Sequence, residues 1–433
     1  MAQRWPIKAT GDVAVLRKTL RFPTSRRIAR NRLLKPPMTE MLSTWVDGDP
    51  KKSGIPTEKL INAYRKWGLG GFGLLITGNI MVDPKHIEMP TNSIIHRSND
   101  NYDRKQAFKK CAEALKKGGG LAIAQLNHPG RLTPITVNEH PFAPSAVKHT
   151  SQIRNFFQYG EPVELTKCQI QTEVIHDFVY AAKFCHEAGF DGVELHAAFG
   201  YLLSEFLTPN TNKRSDEYGG SIKNRARIIR EIYEGIRKEI PKETGFIVGI
   251  KVNTHEFGNK DFSSDDVLKF VQEFDLYGFD FIELSGGSVE ELILNYSKMR
   301  ESSKFREAYF QQYAQKIKPS LKNAVVYLTG GLRTVFGMVD AINNGIADGV
   351  GIGRPSLNEP DVAKKILNEE VQSVIYNHLE EDYMLYMKSG VTNLNEFAAT
   401  TVEEAGGDLN YGVTDFSIKE NAEKFKTEQV KAG

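Results

Sequence analysis

Two short glycine clusters toward the end of the chain have the spacing of an anion cradle. Thr329-Gly-Gly-Leu-Arg333 and Gly349-Val-Gly-Ile-Gly-Arg-Pro355 each set glycines where an apolar run gives way to a helical pattern. Backbone N–H groups at such a junction can hold a phosphate, because glycine permits close approach and a helix start favours an anion. Arg354 can add a charge-assisted, two-pronged contact to the same group. A turn would explain one such cluster; two at successive strand exits point to phosphate, carried either by a sugar or by a flavin nucleotide.

Other chemistries find little footing. Gly68-Leu-Gly-Gly-Phe-Gly73 has the GxGxxG spelling, but a helical pattern precedes it and an apolar run follows. A dinucleotide-binding turn needs the reverse order, so that a helix start meets the pyrophosphate. The ten histidines include no HExxH, no serine occupies a GxSxG elbow, and no metal site is expected.

The elements that must position the cradle alternate strand and helix. Apolar runs at 33–38, 73–80, 121–126, 191–196, 246–253, 279–285, 324–329 and 348–352 read as eight buried strands. Helical patterns fall between them at 57–67, 101–117, 173–188, 221–239, 265–277, 306–318 and 334–344. Eight such units predict a (β/α)8 barrel, whose last two strand exits are a frequent phosphate site. Residues 1–24 read as a segment packing on a barrel of residues 25–370. A long insertion, 127–170, follows the third strand and reads as a cap over the face where barrel sites lie. A second long connection covers 286–305. After residue 370 the alternation stops, which predicts a helical extension and tail over 371–433.

With 433 residues and a net charge of +2, the chain carries no global field that would select nucleic acid or a membrane, so a small-molecule substrate is expected. No stretch has the roughly 18 apolar residues of a membrane span. Three cysteines without a CxxC suit a reducing, cytoplasmic setting. A basic run near the amino terminus is broken by Pro6, Gly11 and Pro23, against an amphipathic targeting helix.

The most specific segment leaves the fourth strand: Glu194 to Arg227, ELHAAFGYLLSEFLTPNTNKRSDEYGGSIKNRAR. It closely resembles the signature of the Old Yellow Enzyme family of NAD(P)H:flavin oxidoreductases. Further segments follow the family in order: Asn31-Arg-Leu-Leu-Lys-Pro-Pro-Met-Thr39, Ile76-Thr-Gly-Asn79, Ala124-Gln-Leu-Asn-His-Pro-Gly-Arg131, Lys251 and both glycine clusters. The resemblance implies bound FMN, reduction by NADPH or NADH, and hydride delivery to an activated alkene such as an enone, or to another acceptor. It implies that Pro37, Met38 and Thr39 line the flavin ring, with Gly78 allowing close backbone approach. Gln125 would bond the pyrimidine edge, and Lys251 would set a positive charge beside it, where many members carry Arg. Gly330, Gly331, Gly353 and Arg354 would hold the phosphate.

By the same resemblance His196 donates a hydrogen bond to the acceptor's carbonyl oxygen, and Tyr201 protonates its α carbon. Phe199 departs from the pattern. The family usually has His or Asn there as a second donor, and loss of one such donor costs on the order of a hundredfold in rate. Two alternatives therefore stand beside the enone reductase: an FMN-binding protein whose turnover is altered or lost, and a phosphate-binding isomerase or aldolase on the same barrel.

Overall fold

The computed structural model describes residues 2–149, 158–254, 263–285 and 314–432. Eight parallel strands close into a barrel: β1 (Leu33–Lys35), β2 (Leu74–Met81), β3 (Leu121–Asn127), β4 (Gly192–Ala197), β5 (Ile247–Asn253), β6 (Phe281–Ser285), β7 (Val325–Thr329) and β8 (Gly349–Gly351). β8 returns to β1, with Val350 opposite Leu33 and Gly351 opposite Leu34. All eight fall within a few residues of the expected positions. The largest difference is β1, which stops at Lys35 rather than Met38, because Pro36 and Pro37 have no N–H for the ladder.

The helices surround this barrel: α1 (Glu58–Leu69), α2 (Tyr102–Lys116), α3 (His176–Glu187), α4 (Arg227–Glu239), α5 (Ser264–Tyr277) and α6 (Val335–Asn343). Thr57, Asn101, Ser263 and Thr334 cap α1, α2, α5 and α6 by accepting backbone N–H bonds, as short polar side chains at helix starts do. Two expected helices are divided. A wide turn over Ile170–Ile175 precedes α3, and a short helix, Ile222–Arg225, precedes α4. The connection 286–305 and most of the helix expected at 306–318 lie outside the described residues.

The amino-terminal end of the barrel is plugged. Leu20–Arg21 pairs antiparallel with Ile28–Ala29, and the fully buried Phe22 between them reaches Phe281 at a ring separation of 5.9 Å. Phe281 meets Tyr327 edge-on, and Ile76, Ile123 and Ile247 complete an apolar floor. The opposite end is therefore the open one. There the segment after β3 is pinned by a small parallel pair, Phe142–Ala143 with Val163–Glu164. The extension after residue 370 folds back on the barrel. Its helix α7 (Tyr383–Ala398) packs against α1 through Trp67 and Phe397, and Lys66 donates to the Phe397 carbonyl at 2.7 Å. Helix α8 (Lys419–Ala432) occupies most of the expected tail and buries Ala422 and Phe425 against Leu379 and Phe416.

Candidate active site

One polar layer sits inside the barrel above the apolar floor. Register places Gln125 opposite Glu194, His196 opposite Lys251, and Lys251 opposite Glu283. Gln125 Nε2 donates to Glu194 Oε2 at 2.7 Å, which leaves the amide oxygen of Gln125 as the group free to accept. Lys251 Nζ donates to Glu283 Oε1 at 3.0 Å. Both glutamates are fully buried, and Glu194 Oε1 and Glu283 Oε2 have no donor among the described residues. Burial, and then the neighbouring Glu283 charge, push the Glu194 carboxyl well above the usual range. A proton held on Glu194 and donated to Glu283 satisfies both oxygens and leaves one ion pair, Lys251 with Glu283. Lys251→Met should therefore strand a buried carboxylate and destabilise the flavin-free protein by about 3–5 kcal/mol. Adding Glu283→Gln should recover most of that loss in thermal unfolding; no recovery would show that the two side chains are not coupled.

A cavity of about 380 Å³ opens above this layer. Nine of the thirteen residues singled out from the sequence line it: Pro37, Met38, Thr39, Gln125, His196, Phe199, Tyr201, Lys251 and Arg354. His196 ends β4 with its Nδ1 accepting the Ala198 N–H at 3.3 Å, so the ring proton of the neutral form is on Nε2. Burial, and then Lys251, hold its pKa well below the ordinary value, and the imidazole is neutral. Tyr201 meets the His196 ring edge-on at 4.9 Å and donates its hydroxyl to Glu88 Oε1 at 2.6 Å. Burial, and then the Glu88 carboxylate, raise the phenol well above its usual range.

Phe199, between the two in sequence, has φ +66°, a left-handed backbone that bulky residues rarely adopt. Its N–H donates to Asn253 Oδ1 at 3.3 Å, and its ring stacks on Tyr201 at 6.2 Å. Asn and His tolerate this backbone better than Phe does. The residue types expected at 199 thus suit both the strain and the donor role, and Phe suits neither.

The four remaining residues, all glycines, are not among the cavity's lining residues. Gly78 has a reason within the protein itself: a Cβ there would sit 1.9 Å from Glu40 Oε2 and 2.4 Å from the Met38 carbonyl. Its N–H donates to Glu40, whose carboxylate also accepts from Tyr64 at 2.9 Å and lies 3.6 Å from the buried Lys35 amine. Gly330 and Gly331 have φ of +123° and +73°, which only glycine adopts readily. At Gly353 a Cβ would touch only the Pro36 ring among the described residues, at 3.5 Å, an ordinary contact distance. Around these turns Ser285 Oγ, Thr329 Oγ1 and Arg354 Nη1, at the ends of β6, β7 and β8, are buried with no partner among the described residues. Such a set is what a bound phosphate satisfies.

Several lining residues carried no motif. Glu88 and Tyr159 come from loops, and Tyr383, Met387, Val391 and Leu394 come from α7. The last four repeat at intervals of four, four and three residues, the stripe of a helix face. That periodicity was the available signal, in a region read as lying outside the barrel.

Among the described residues one cluster has metal-ligand types, Asp83, His86 and His128. Hydrogen bonds account for it. His86 donates to Asp83 at 2.7 Å and accepts the Phe142 N–H at 3.0 Å, while His128 Nδ1 accepts the Gly130 N–H at 3.1 Å. The cluster pins the segment after β3 to the barrel.

The model of the NADH:flavin oxidoreductase / NADH oxidase family matches residues 26–372. The NADH-dependent flavin oxidoreductase nadA of Aspergillus parasiticus is 38% identical over 393 residues, covering 89% of this chain and 86% of that one. The NADPH dehydrogenase of Bacillus subtilis is 30% identical, covering 80% of this chain and 94% of that one. A solved Old Yellow Enzyme homologue from Zymomonas mobilis shares the fold, with a TM-score of 0.66, 23% identity, and coverage of 85% of this chain and 99% of that one. A barrel isomerase or aldolase is left without support. No helix among the described residues is long and apolar enough to cross a membrane. The chain belongs to the NADH:flavin oxidoreductase / NADH oxidase family, and it is an FMN-dependent oxidoreductase that takes hydride from NADH or NADPH.

Proposed function

We propose that this oxidoreductase reduces an activated alkene next to a carbonyl, with His196 and Tyr201 acting on the two ends of that group. The observation that carries the reading is the pair of donors on one cavity wall: a neutral imidazole with its proton on Nε2, and a phenol 4.9 Å away between ring centres. Bound FMN supplies hydride exchange between the nicotinamide and the acceptor. The chain's residues fit that cofactor. Arg354 Nη1, Thr329 Oγ1 and Ser285 Oγ are buried polar atoms awaiting an anion, and Gly330, Gly331 and Gly353 leave room for its phosphate. Pro37, Met38 and Thr39 offer one wall to the ring, the Gln125 oxygen an acceptor for its pyrimidine N–H, and Lys251 a positive charge beside that edge. Gly78 contributes indirectly, by making room for the Glu40 carboxylate beside the Met38 carbonyl.

On the acceptor, charge gathers on the carbonyl oxygen as the β carbon receives hydride, and a donor fixed beside that oxygen is worth more there than in water. His196 is that donor and Tyr201 is the acid for the α carbon. NADH is the proposed reductant, in keeping with the name of the Aspergillus relative. The three unpaired cysteines suit a cytoplasmic setting.

The test is a pair of anaerobic half-reactions on the FMN-loaded protein. Bleaching by NADH followed by reoxidation with an enone supports the reading; bleaching that no enone reverses sinks it in favour of another acceptor. Phe199→Asn should raise kcat/KM for enones by about tenfold, part of the on-the-order-of-hundredfold worth of a second donor. It should also relieve left-handed strain. No gain would mean that the cavity is shaped for a substrate that does not use that position.

A further inference from the structure

Glu88 lies outside every motif read from the sequence, yet it touches the group on which the chemistry turns. Its half-buried carboxylate lines the cavity from the loop between β2 and α2. The two oxygens divide their partners. Oε1 accepts the Tyr201 O–H at 2.6 Å, whereas Oε2 accepts Asn79 Nδ2 at 2.7 Å and shares the Thr39 hydroxyl, 3.2 Å away, with Asn79 Oδ1 at 3.0 Å. A phenol whose proton is committed to a carboxylate is a poor acid toward carbon, because releasing that proton would leave two negative oxygens in contact. Protonation at Oε1 removes the difficulty. It reverses one hydrogen bond and leaves the two at Oε2 intact.

We infer that Glu88 controls the proton that Tyr201 delivers: ionised, it withholds the phenol proton; protonated, it refills the phenol as the phenol gives its own proton to the substrate carbon. The inference rests on the reading of Tyr201 as the proton donor. In the step, the Tyr201 O–H bond breaks as the carbon–hydrogen bond forms, and the Glu88 O–H bond breaks as the Tyr201 O–H bond re-forms. Glu88 ends as a carboxylate and takes its next proton from water in the cavity. The other titratable groups lining the cavity are Tyr159, His196, Lys251, Arg354 and Tyr383, and Lys85 and His86 precede Glu88 on its own loop. Glu88 is the one that contacts the Tyr201 hydroxyl.

Glu88→Gln tests this with a fixed geometry. Asn79 Nδ2 can only donate, so the amide oxygen faces it, and the amide nitrogen faces Tyr201 and donates to the phenol oxygen. The phenol proton is then permanently free. In the wild type, reoxidation of the NADH-reduced holoenzyme by an enone should fall as the pH is raised, because a carboxylate at Oε1 holds the phenol proton. In Glu88→Gln that fall should vanish, so that in alkaline buffer the variant outpaces the wild type by about tenfold or more. A second readout needs no turnover. In FMN-free protein, the tyrosinate absorbance that Tyr201→Phe removes should appear at lower pH in Glu88→Gln than in the wild type. A variant slower at every pH, with the wild-type slope and an unmoved tyrosinate titration, would overturn the inference. If Tyr201→Phe itself reoxidises with the enone as fast as the wild type, the proton-donor reading fails, and this one with it.

Discussion

Tyr201→Phe should slow reoxidation by an enone by a hundredfold or more, the usual worth of a positioned general acid, while reduction by NADH proceeds near the wild-type rate. The expectation follows from what the phenol touches. Tyr201 is 3% exposed, its ring meets those of His196 and Phe199, and its hydroxyl donates to Glu88. Phenylalanine keeps the ring contacts and removes only the hydroxyl, so loss of ring packing cannot account for a lower rate. Nicotinamide reduction needs no proton at the acceptor's carbon. Equal slowing of both half-reactions, measured by stopped-flow absorbance, would show that the ring shapes the cavity rather than supplying an acid. The Glu88 variant separates the two further, since it alters the phenol's partner and leaves the phenol in place.

The barrel was legible because its strands are buried on both faces. Leu74-Leu-Ile-Thr and Phe246-Ile-Val-Gly-Ile are continuous apolar runs that helices do not imitate when glycine and proline bound them. The candidate segment at the end of β4 was legible for a different reason: His196, Phe199 and Tyr201 lie within six residues of one another, so local backbone fixes their spacing and that spacing survives in the linear sequence. Glu88 was not legible, because its meaning comes from a 2.6 Å contact with a residue more than a hundred positions away. Nothing in Lys85-His-Ile-Glu88 encodes that meeting. The face of α7 lay between these cases. Its stripe of Tyr383, Met387, Val391 and Leu394 could be read as amphipathic, but not as the wall of a cavity founded on β1 and β4. Gly78 carries a constraint that the linear sequence does not show: a Cβ there would meet the Glu40 carboxylate.

Arg354→Ala is expected to cost the protein its flavin. Arg354 follows Gly353 just after β8, and its guanidinium carbon lies over two rings, 4.4 Å from the centre of Tyr386 and 5.5 Å from that of Tyr383. Those contacts hold the fork, while Nη1 is buried with no partner among the described residues. A buried donor left unmatched is costly, and a phosphate oxygen would match it. Losing a charge-assisted hydrogen bond of this kind is worth about 1.5–3 kcal/mol, so FMN should bind roughly ten- to a hundredfold more weakly. Since Tyr383 and Tyr386 belong to α7, the same substitution should loosen the extension and lower the melting temperature of the flavin-free protein. Lysine should restore only part of the affinity, because an ammonium neither forks to two oxygens nor stacks on tyrosine rings. Fluorescence titration of flavin-free protein with FMN and with riboflavin distinguishes the cause. If Arg354 grips the phosphate, its loss weakens FMN and leaves riboflavin untouched; equal weakening of both would move Arg354 from the phosphate to the ring.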